Sequence, residues 1–255
     1  MEKINLNEYL AGNEYPGRGI AIGMDPEGKK IFVGYWIMGR SVNSRNRVFS
    51  PIDGGIETKA ADPSRLADPH LIIYNPVLTL GTTTIVTNGD QTDTIYNSLC
   101  AGGSFEAALR TRTFEDDAPN WTPRISGIVY KDGGYQLSIL KSADGNGDSC
   151  QRYFFDYLQP VAGEGHFIST YKCNGSPIPS FEGEPLRFAV PRSVTEFARG
   201  LWQSLNEDNK VSLFARVIDL ESGNVGDMIY NKYTPVEDET EDPQEPALLP
   251  EEMEN

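Results

Sequence analysis

Short apolar segments separated by turn residues recur along the chain and predict a β-rich protein. Residues 19–23 and 31–37 are apolar and flank Asp25-Pro26-Glu27-Gly28, a strong turn signal, so they predict a β-hairpin. Comparable segments predict two further hairpins and four later strands, at residues 77–80, 82–87, 125–130, 135–140, 153–157, 167–172, 211–220 and 227–233.

Three helices are predicted, two of them adjacent. Residues 90–101 and 104–113 are separated by Gly102-Gly103, and Ser193-Val194-Thr195-Glu196 is a capping box that opens a third helix, to about Leu205. Hairpins with grouped helices argue for an α+β sandwich and against alternating βαβ units. We therefore predict a single domain over residues 1–235. Residues 236–255 contain nine acids, no base and three prolines, which predicts an acidic, disordered tail.

Charge restricts the classes of partner. The 255 residues carry a net charge of −15, and without the nine acids of the tail the remaining chain carries −6. Nucleic-acid binding depends on many Lys and Arg contacts to phosphate, so we expect no nucleic-acid partner. A membrane span needs a stretch of about 18 apolar residues, and the sequence has none. Residues 1–5 also lack the apolar core of a signal peptide.

Several common types of site are not indicated. The three cysteines, Cys100, Cys150 and Cys173, are widely spaced, which predicts no disulfide framework and a reducing, cytoplasmic location. His70 and His166 are too far apart for the short spacing of zinc ligands, so no metal site is predicted. The sequence has no Gly-x-Gly-x-x-Gly, no Gly-Lys-Ser/Thr and no Gly-x-Ser-x-Gly motif. A Ser–His–Asp arrangement without such a motif stays open.

Four polar segments carry the candidate chemistry, and the first two are short. Residues 39–47 hold Arg40, Arg45 and Arg47 directly after an apolar strand. Arginine presents a planar fork of donors and keeps its charge, which suits phosphate, although a solvated basic loop is the alternative. The second segment is Tyr74-Asn75-Pro76, for which a turn with a packed tyrosine is the alternative.

The third and fourth segments precede helical or strand elements. Residues 87–93 combine a hairpin exit with a helix start, where backbone N–H groups attract anions. Residues 113–124 contain Glu115-Asp116-Asp117 and end at Arg124. Repulsion among three adjacent carboxylates favours retention of a proton by one of them near neutral pH. The alternative is an ordinary acidic loop.

Together and in this order, the four segments resemble the archaeal-type IMP cyclohydrolase family. The matching stretches are residues 39–47, 68–76, 88–95 and 114–125, and the likeness covers roughly residues 15–235. It implies a four-layer αββα sandwich resembling N-terminal-nucleophile hydrolases, without an N-terminal nucleophile. It also implies closure of 5-formamidoimidazole-4-carboxamide ribonucleotide (FAICAR) to IMP with loss of water, in purine synthesis, with no metal or organic cofactor.

The resemblance and the chemistry of ring closure assign roles to five residues. Arg45 is expected to bind the formyl oxygen or the phosphate, with Arg40 and Arg47 supporting the anion. Tyr74 is expected to donate a hydrogen bond to the formyl oxygen. Glu115 is the expected proton carrier.

Further residues are assigned by the same reasoning. Arg124 is expected to orient Glu115 or to clamp the substrate. Several members of the family carry a histidine where Gln91 stands, so a histidine acid or base is excluded there. The residues assigned to positioning of the ribose, the carboxamide and neighbouring groups are Ser41, Asn75, Asn88, Thr92, Asp93 and Asn120.

Two alternative functions stay open. A non-catalytic purine-nucleotide-binding module of the same fold would bind IMP and leave the formylated precursor unchanged. An amidohydrolase of the N-terminal-nucleophile type needs a Cys, Ser or Thr at the mature N-terminus, whereas this sequence begins Met1-Glu2. The resemblance also suggests assembly into a homo-oligomer.

Overall fold

The computed structural model describes residues 3–66 and 72–235, which form thirteen β-strands and five α-helices. The predicted tail at residues 236–255 lies outside the described residues, as does part of the 68–76 stretch. The helices are α1 (Leu6–Ala11), α2 (Val42–Arg45), α3 (Gln91–Cys100), α4 (Phe105–Arg110) and α5 (Val194–Ser204). The strands are β1 (Gly19–Met24), β2 (Lys30–Met38), β3 (Val48–Ile52), β4 (Gly55–Lys59), β5 (Val77–Leu80), β6 (Thr83–Thr87), β7 (Arg124–Val129), β8 (Tyr135–Ser142), β9 (Cys150–Tyr157), β10 (Glu164–Ser169), β11 (Leu186–Ala189), β12 (Lys210–Asp219) and β13 (Val225–Asn231).

The strands form two antiparallel sheets. The first sheet has the order β11-β10-β1-β2-β12-β13, and the second has the order β3-β4-β5-β6-β7-β8-β9. The predicted hairpins are confirmed as β1–β2, β5–β6 and β7–β8. Local turn chemistry explains the first of them, because the Asp25 carboxylate accepts from the backbone N–H groups of Lys29 and Lys30 at 2.7 and 2.8 Å.

Alternating side chains place the main apolar core between the two sheets. On β2, Val33, Tyr35 and Ile37 face this core together with Ile125 and Leu137 of the second sheet. Because both faces of β2 are covered, almost every residue of the strand is buried. An α+β protein built on antiparallel sheets is therefore confirmed.

Helices pack on the outer faces of both sheets. Residues of α1 and α5, such as Leu10 and Leu201, pack with Trp36 and Phe167 of the first sheet. Helices α3 and α4 pack in the same way on the second sheet, where Ile95, Phe105 and Leu109 are buried with Ile85, Ile128 and Leu140. In the described part of the chain, no helix has the length and apolar character that crossing a bilayer requires.

Several elements differ from the sequence prediction. Helices α1 and α2 and strands β3, β4 and β11 were not predicted. The predicted capping box at Ser193 is wrong in detail, because the Ser193 hydroxyl accepts from Thr195 N–H at 3.2 Å, one residue before the position that a capping box uses. A capping box does open α2, where Ser41 and Ser44 bond reciprocally.

Candidate functional site

A polar cleft of about 280 Å³ lies at the end of the sheets where β1 and β7 begin and β2 and β10 end. Its walls come from segments far apart in the sequence. They are Tyr15, Arg18, Arg40, Ser41, Asn43, Ser44, Arg47, Ile72, Glu115, Asp117, Asn120, Thr122, Tyr171 and Ile178. The cleft therefore collects the first and fourth polar segments, which the sequence places about 70 residues apart.

Arg18 and Glu115 form an ion pair in this cleft. Nη2 of Arg18 lies 2.5 Å from Oε1 of Glu115, and the two side chains are 12% and 11% exposed. Burial lowers the pKa of the Arg18 guanidinium, but the adjacent Glu115 carboxylate and nearby phenols raise it, and the net shift is upward. Arg18 is therefore a fixed cation that holds one carboxylate oxygen of Glu115.

Arg47 is a second enclosed cation with a different environment. It is 3% exposed, and its Nε donates to the backbone carbonyl of Ser44 at 2.9 Å. Burial and the positive charge of Arg18 lower its pKa, although nearby phenols oppose the shift. Among residues 3–66 and 72–235, no carboxylate forms an ion pair with Arg47. A buried cation without a carboxylate is costly, so this part of the cleft favours an anion.

Two hydrogen-bonded phenols lie behind the arginines. The hydroxyl groups of Tyr35 and Tyr74 are 2.8 Å apart, and both side chains are buried. The Tyr74 backbone N–H donates to Oγ1 of Thr58 at 2.9 Å, which holds the tyrosine at the start of the second polar segment. The nearby Tyr74 phenol is one of the groups that raise the pKa of Arg18 and oppose the lowering of the pKa of Arg47. Tyr74 thus lies beside the cationic groups, although it is not part of the cleft wall.

The rim of the cleft is more exposed. Nη1 of Arg40 donates to Oδ1 of Asn174 at 2.6 Å and to the carbonyl of Gly175 at 2.8 Å, and its guanidinium lies 5.2 Å from the ring centroid of Tyr15. Ser41 caps α2 on the same side. On the opposite rim, Asn120 accepts a long bond of 3.4 Å from Ile178 N–H. Arg40, Ser41 and Asn120 thus line the same cleft, and their role in substrate binding stays a prediction.

Arg45 lies elsewhere, which corrects its expected position. Its Nε donates to the Gly39 carbonyl at 2.8 Å, and its Nη2 donates to Oδ1 of Asn209 at 3.1 Å. It lines a separate hollow of about 340 Å³ with Arg65. Helical geometry explains this position. Successive side chains on a helix point about 100° apart, and Ser44 faces the cleft, so Arg45 points away from it. Arg45 therefore supports the backbone of the arginine segment.

Arg124 also differs from its expected role. Its Nη1 lies 2.7 Å from Oδ1 of Asp90 and 2.7 Å from Oε1 of Gln91, and Arg112 reaches the same Asp90 oxygen at 2.5 Å. Burial raises the pKa of Asp90, but the two arginines lower it and the net shift is downward. The structure thus assigns to Arg18 the contact with Glu115 that was expected of Arg124.

The remaining expected residues form hydrogen bonds around the turn from β6 to α3. Oδ1 of Asn88 accepts from Ile125 N–H at 2.8 Å and its Nδ2 donates to the Pro123 carbonyl at 2.9 Å. Thr92 bonds the hydroxyl of Thr87 at 2.7 Å. Nδ2 of Asn75 donates to Oδ1 of Asp93 at 3.4 Å. Asn88 thus ties the turn to the start of β7, Thr92 ties α3 to the end of β6, and Asn75 bonds to Asp93 of α3. None of these side chains is among the residues that line the cleft.

The sequence analysis missed several residues of the cleft, above all Arg18. Its signal was local: Gly17-Arg18-Gly19 places a charged residue directly before a buried strand. Gly17 has a φ of 73°, and a Cβ at that position would lie 2.2 Å from Oγ1 of Thr170. Only glycine fits this close approach, which brings Arg18 to the end of the sheet. The other cleft residues that were not assigned are Tyr15, Asn43, Ser44, Ile72, Asp117, Thr122, Tyr171 and Ile178.

The described part of the chain has no cluster of side chains suited to bind a metal ion. Within residues 3–66 and 72–235, no group of three or more His, Cys, Asp or Glu side chains is arranged to hold a metal ion. The three adjacent acids also separate: Glu115 pairs with Arg18, Asp117 accepts from Thr122 N–H at 2.6 Å, and Asp116 is exposed.

Comparison with known proteins places the chain in a family. Residues 15–223 match the model of a family described as IMP cyclohydrolase-like protein. The IMP cyclohydrolase of Methanococcus maripaludis strain C6 is 34% identical over 169 residues, which cover 63% of this chain and 76% of the relative. Those of Methanosphaera stadtmanae and Methanopyrus kandleri are 28% and 29% identical, covering 63% and 62% of this chain and 75% of each relative. The matched region contains every residue of the cleft, and the chain belongs to the IMP cyclohydrolase-like protein family.

Proposed function

We propose that this protein is an IMP cyclohydrolase that closes the six-membered ring of FAICAR to give IMP and water. The observation that carries the proposal is one cleft with two enclosed arginines, a single carboxylate paired to one of them, and a neighbouring phenol pair. Such a cleft suits a phosphorylated ligand whose reaction moves protons without changing oxidation state. The activity belongs to the hydrolase class that acts on carbon–nitrogen bonds of cyclic amidines.

Ring closure forms one bond and breaks another. The carboxamide nitrogen attacks the formyl carbon, and the former formyl oxygen leaves as water. One proton from the carboxamide nitrogen and one from the formamide nitrogen reach that oxygen. An amide nitrogen is a weak nucleophile, so alignment of the two arms within the cleft supplies a large part of the acceleration.

Arg47 is assigned to the anionic end of the nucleotide. Its guanidinium is buried against the cleft and has no carboxylate partner among the described residues, so a phosphate would neutralise it. Arg40 and Ser41 would complete this end from the rim. Arg45 has its donors directed to Gly39 and Asn209, and we assign it to support of the segment.

Glu115 is assigned to proton transfer. Oε1 is held by Arg18, which leaves Oε2 as the oxygen that takes a proton from nitrogen and returns it to the departing hydroxyl. Arg18 keeps this carboxylate in one orientation. Tyr74, beside Arg18 and Arg47, would stabilise charge on the formyl oxygen. The other residues first assigned to substrate, Asn75, Asn88, Thr92, Asp93 and Arg124, would act indirectly through the β6–α3 turn.

The wider context follows from the same proposal. We propose that residues 1–235 form one domain, that its layers correspond to the αββα sandwich of N-terminal-nucleophile hydrolases, and that the enzyme works in the cytoplasm, where purines are made. The protein would bind a purine nucleotide, and we expect it to bind neither nucleic acid nor membranes. Assembly into a homo-oligomer is compatible with this function.

The decisive experiment is an absorbance assay of ring closure with purified protein and FAICAR. We expect turnover by the wild-type protein, and we expect Glu115→Gln and Tyr74→Phe to lower kcat by about 100-fold or more while KM changes little. Tyr153→Phe, on an exposed part of β9, is the matched control and should leave both constants unchanged. IMP binding without any ring closure would instead favour a non-catalytic nucleotide-binding module.

A further inference from the structure

A chain of three hydrogen-bonded side chains ends at the cleft. Oδ1 of Asp117 accepts from the backbone N–H of Thr122 at 2.6 Å, and Oδ2 of Asp117 lies in hydrogen-bond contact with Oγ1 of Thr122. The same Oγ1 lies 2.6 Å from the hydroxyl of Tyr171. Thr122 is 1% exposed and Tyr171 is 3% exposed, and all three residues line the cleft.

The donors and acceptors in this chain have one consistent order. A carboxylate has no proton to donate, so the Thr122 hydroxyl donates to Asp117. Thr122 has a single hydroxyl proton, so towards Tyr171 its oxygen can only accept. The Tyr171 hydroxyl therefore donates to Thr122, and its oxygen is left with acceptor capacity alone.

The surroundings of Tyr171 keep this order in place. Burial raises the pKa of the Tyr171 phenol, the positive charge of Arg18 opposes this, and the net change is a rise. The phenol thus keeps the proton that it donates to Thr122. Its ring stacks on Tyr15 with a centroid distance of 5.8 Å. Among residues 3–66 and 72–235, the Tyr171 hydroxyl group forms a hydrogen bond only with Thr122.

We propose that Tyr171 is a specificity-determining residue that accepts a hydrogen bond from a donor group of the bound nucleotide, either a ribose O–H or a ring N–H. The inference rests on the proposed function, because it assumes a nucleotide in this cleft. Asp117 and Thr122 are positioning residues that set the direction of the Tyr171 hydroxyl. A ligand with an acceptor at this place would be rejected, since two oxygen lone pairs would then face each other.

Binding of a small set of nucleotides tests the proposal. Calorimetry would compare IMP with 2′-deoxy-IMP, 3′-deoxy-IMP and 1-methyl-IMP, each of which lacks one donor. For the wild-type protein we expect one analogue to bind about three- to tenfold more weakly than IMP through loss of one hydrogen bond. In Tyr171→Phe that analogue and IMP should bind equally. The analogue that loses its penalty identifies the ribose or the ring as the donor.

Asp117→Asn supplies a second and sharper readout. The new amide can donate to Thr122, which then donates to Tyr171, so that the Tyr171 proton turns into the cleft. A donor facing a donor should make IMP bind at least tenfold more weakly, and the selected analogue should then bind at least as tightly as IMP. Thr122→Ser keeps the hydroxyl and should retain the wild-type preference, and Tyr153→Phe is the matched tyrosine control.

The outcomes separate the two proposals. An unchanged ratio between IMP and all three analogues in both Tyr171→Phe and Asp117→Asn overturns the role of Tyr171, while ring closure by the wild-type protein would still stand. Failure of the wild-type protein to bind IMP overturns the proposed function and this inference together. Thermal melts check that each variant is folded, and Asp117→Asn decides the matter if Tyr171→Phe does not fold.

Discussion

The Arg18–Glu115 pair allows a quantitative prediction about how the cleft is held together. We consider Arg18→Met, which keeps much of the side-chain volume, Glu115→Gln, which keeps the shape, and the double variant. Both side chains are nearly enclosed, and removing one partner of a buried ion pair costs about 3–5 kcal/mol. Because the cleft opens to water, we expect a smaller loss than in a fully buried pair, about 2–3 kcal/mol of unfolding free energy, for the less affected variant.

The structure also predicts which single variant suffers more. Glu115→Gln leaves Arg18 and Arg47 as two enclosed cations that repel each other, since burial lowers the pKa of Arg47 and the positive charge of Arg18 lowers it further. Arg18→Met leaves a carboxylate close to one remaining cation. We therefore expect Glu115→Gln to be less stable than Arg18→Met, and the double variant to be no worse than Glu115→Gln. The coupling between the two substitutions should be about 2 kcal/mol.

Urea denaturation followed by fluorescence measures the stability, and the ring-closure assay measures kcat on the same preparations. Arg18→Met should lower kcat by about 10- to 100-fold, because the Glu115 carboxylate is no longer held in place and a displacement of about 1 Å is enough for such a loss. Inorganic phosphate should stabilise Glu115→Gln more than the wild-type protein. Additive effects, with a coupling below about 0.5 kcal/mol, would show that the two groups do not act as a pair and would refute the reasoning.

Three further predictions concern other parts of the molecule. Arg47→Gln should raise the Kd for IMP by about 10- to 100-fold, whereas Arg45→Gln should lower stability by about 1–2 kcal/mol and leave the Kd unchanged, as calorimetry and thermal melts would show. Burial lowers the pKa of His166 to about 4. Between pH 4 and pH 6.5 the unfolded chain therefore binds a proton at His166 that the folded protein does not bind, so the free energy of unfolding should rise with pH. After allowance for partial exposure, we expect a rise of about 1–2 kcal/mol. His166→Asn should flatten that rise in urea titrations, and an unchanged slope would contradict it. Gly19→Ala would place a Cβ 2.1 Å from Cζ2 of Trp36. We expect the free energy of unfolding to fall by about 1–3 kcal/mol and kcat to fall as well, as urea denaturation and the ring-closure assay would show.

Elements with local signals were predictable from the sequence. The hairpin around Asp25 depends on a carboxylate and a glycine within one turn, and both are visible in the sequence. Helix α2 has only four residues and no apolar face, so its capping box at Ser41 was the one available signal. Strand β3 contains Pro51, and the turn between β3 and β4 contains Gly54; both residues obscure a strand pattern.

The candidate site was predictable in part, for a related reason. Arg40, Arg47 and Glu115 belong to dense polar segments, and composition alone identifies such segments. The partner of Glu115 did not follow, because Arg18 is 97 positions away and only the fold brings the two together. Arg45 was assigned to the cleft since residue spacing does not reveal which face of a short helical turn a side chain occupies.

The two halves of the ion pair come from different sheets: Arg18 precedes β1 of the first sheet, and Glu115 lies in the loop that leads to β7 of the second. Neither sheet by itself carries both partners of the ion pair to which we assign proton transfer. A substitution deep in the shared core that shifts one sheet relative to the other will therefore alter this pair, although the substituted residue itself does not line the cleft. We therefore expect kcat to depend on how the two sheets pack against each other. Variants in the core between the sheets should lose activity before any loss of secondary structure can be measured.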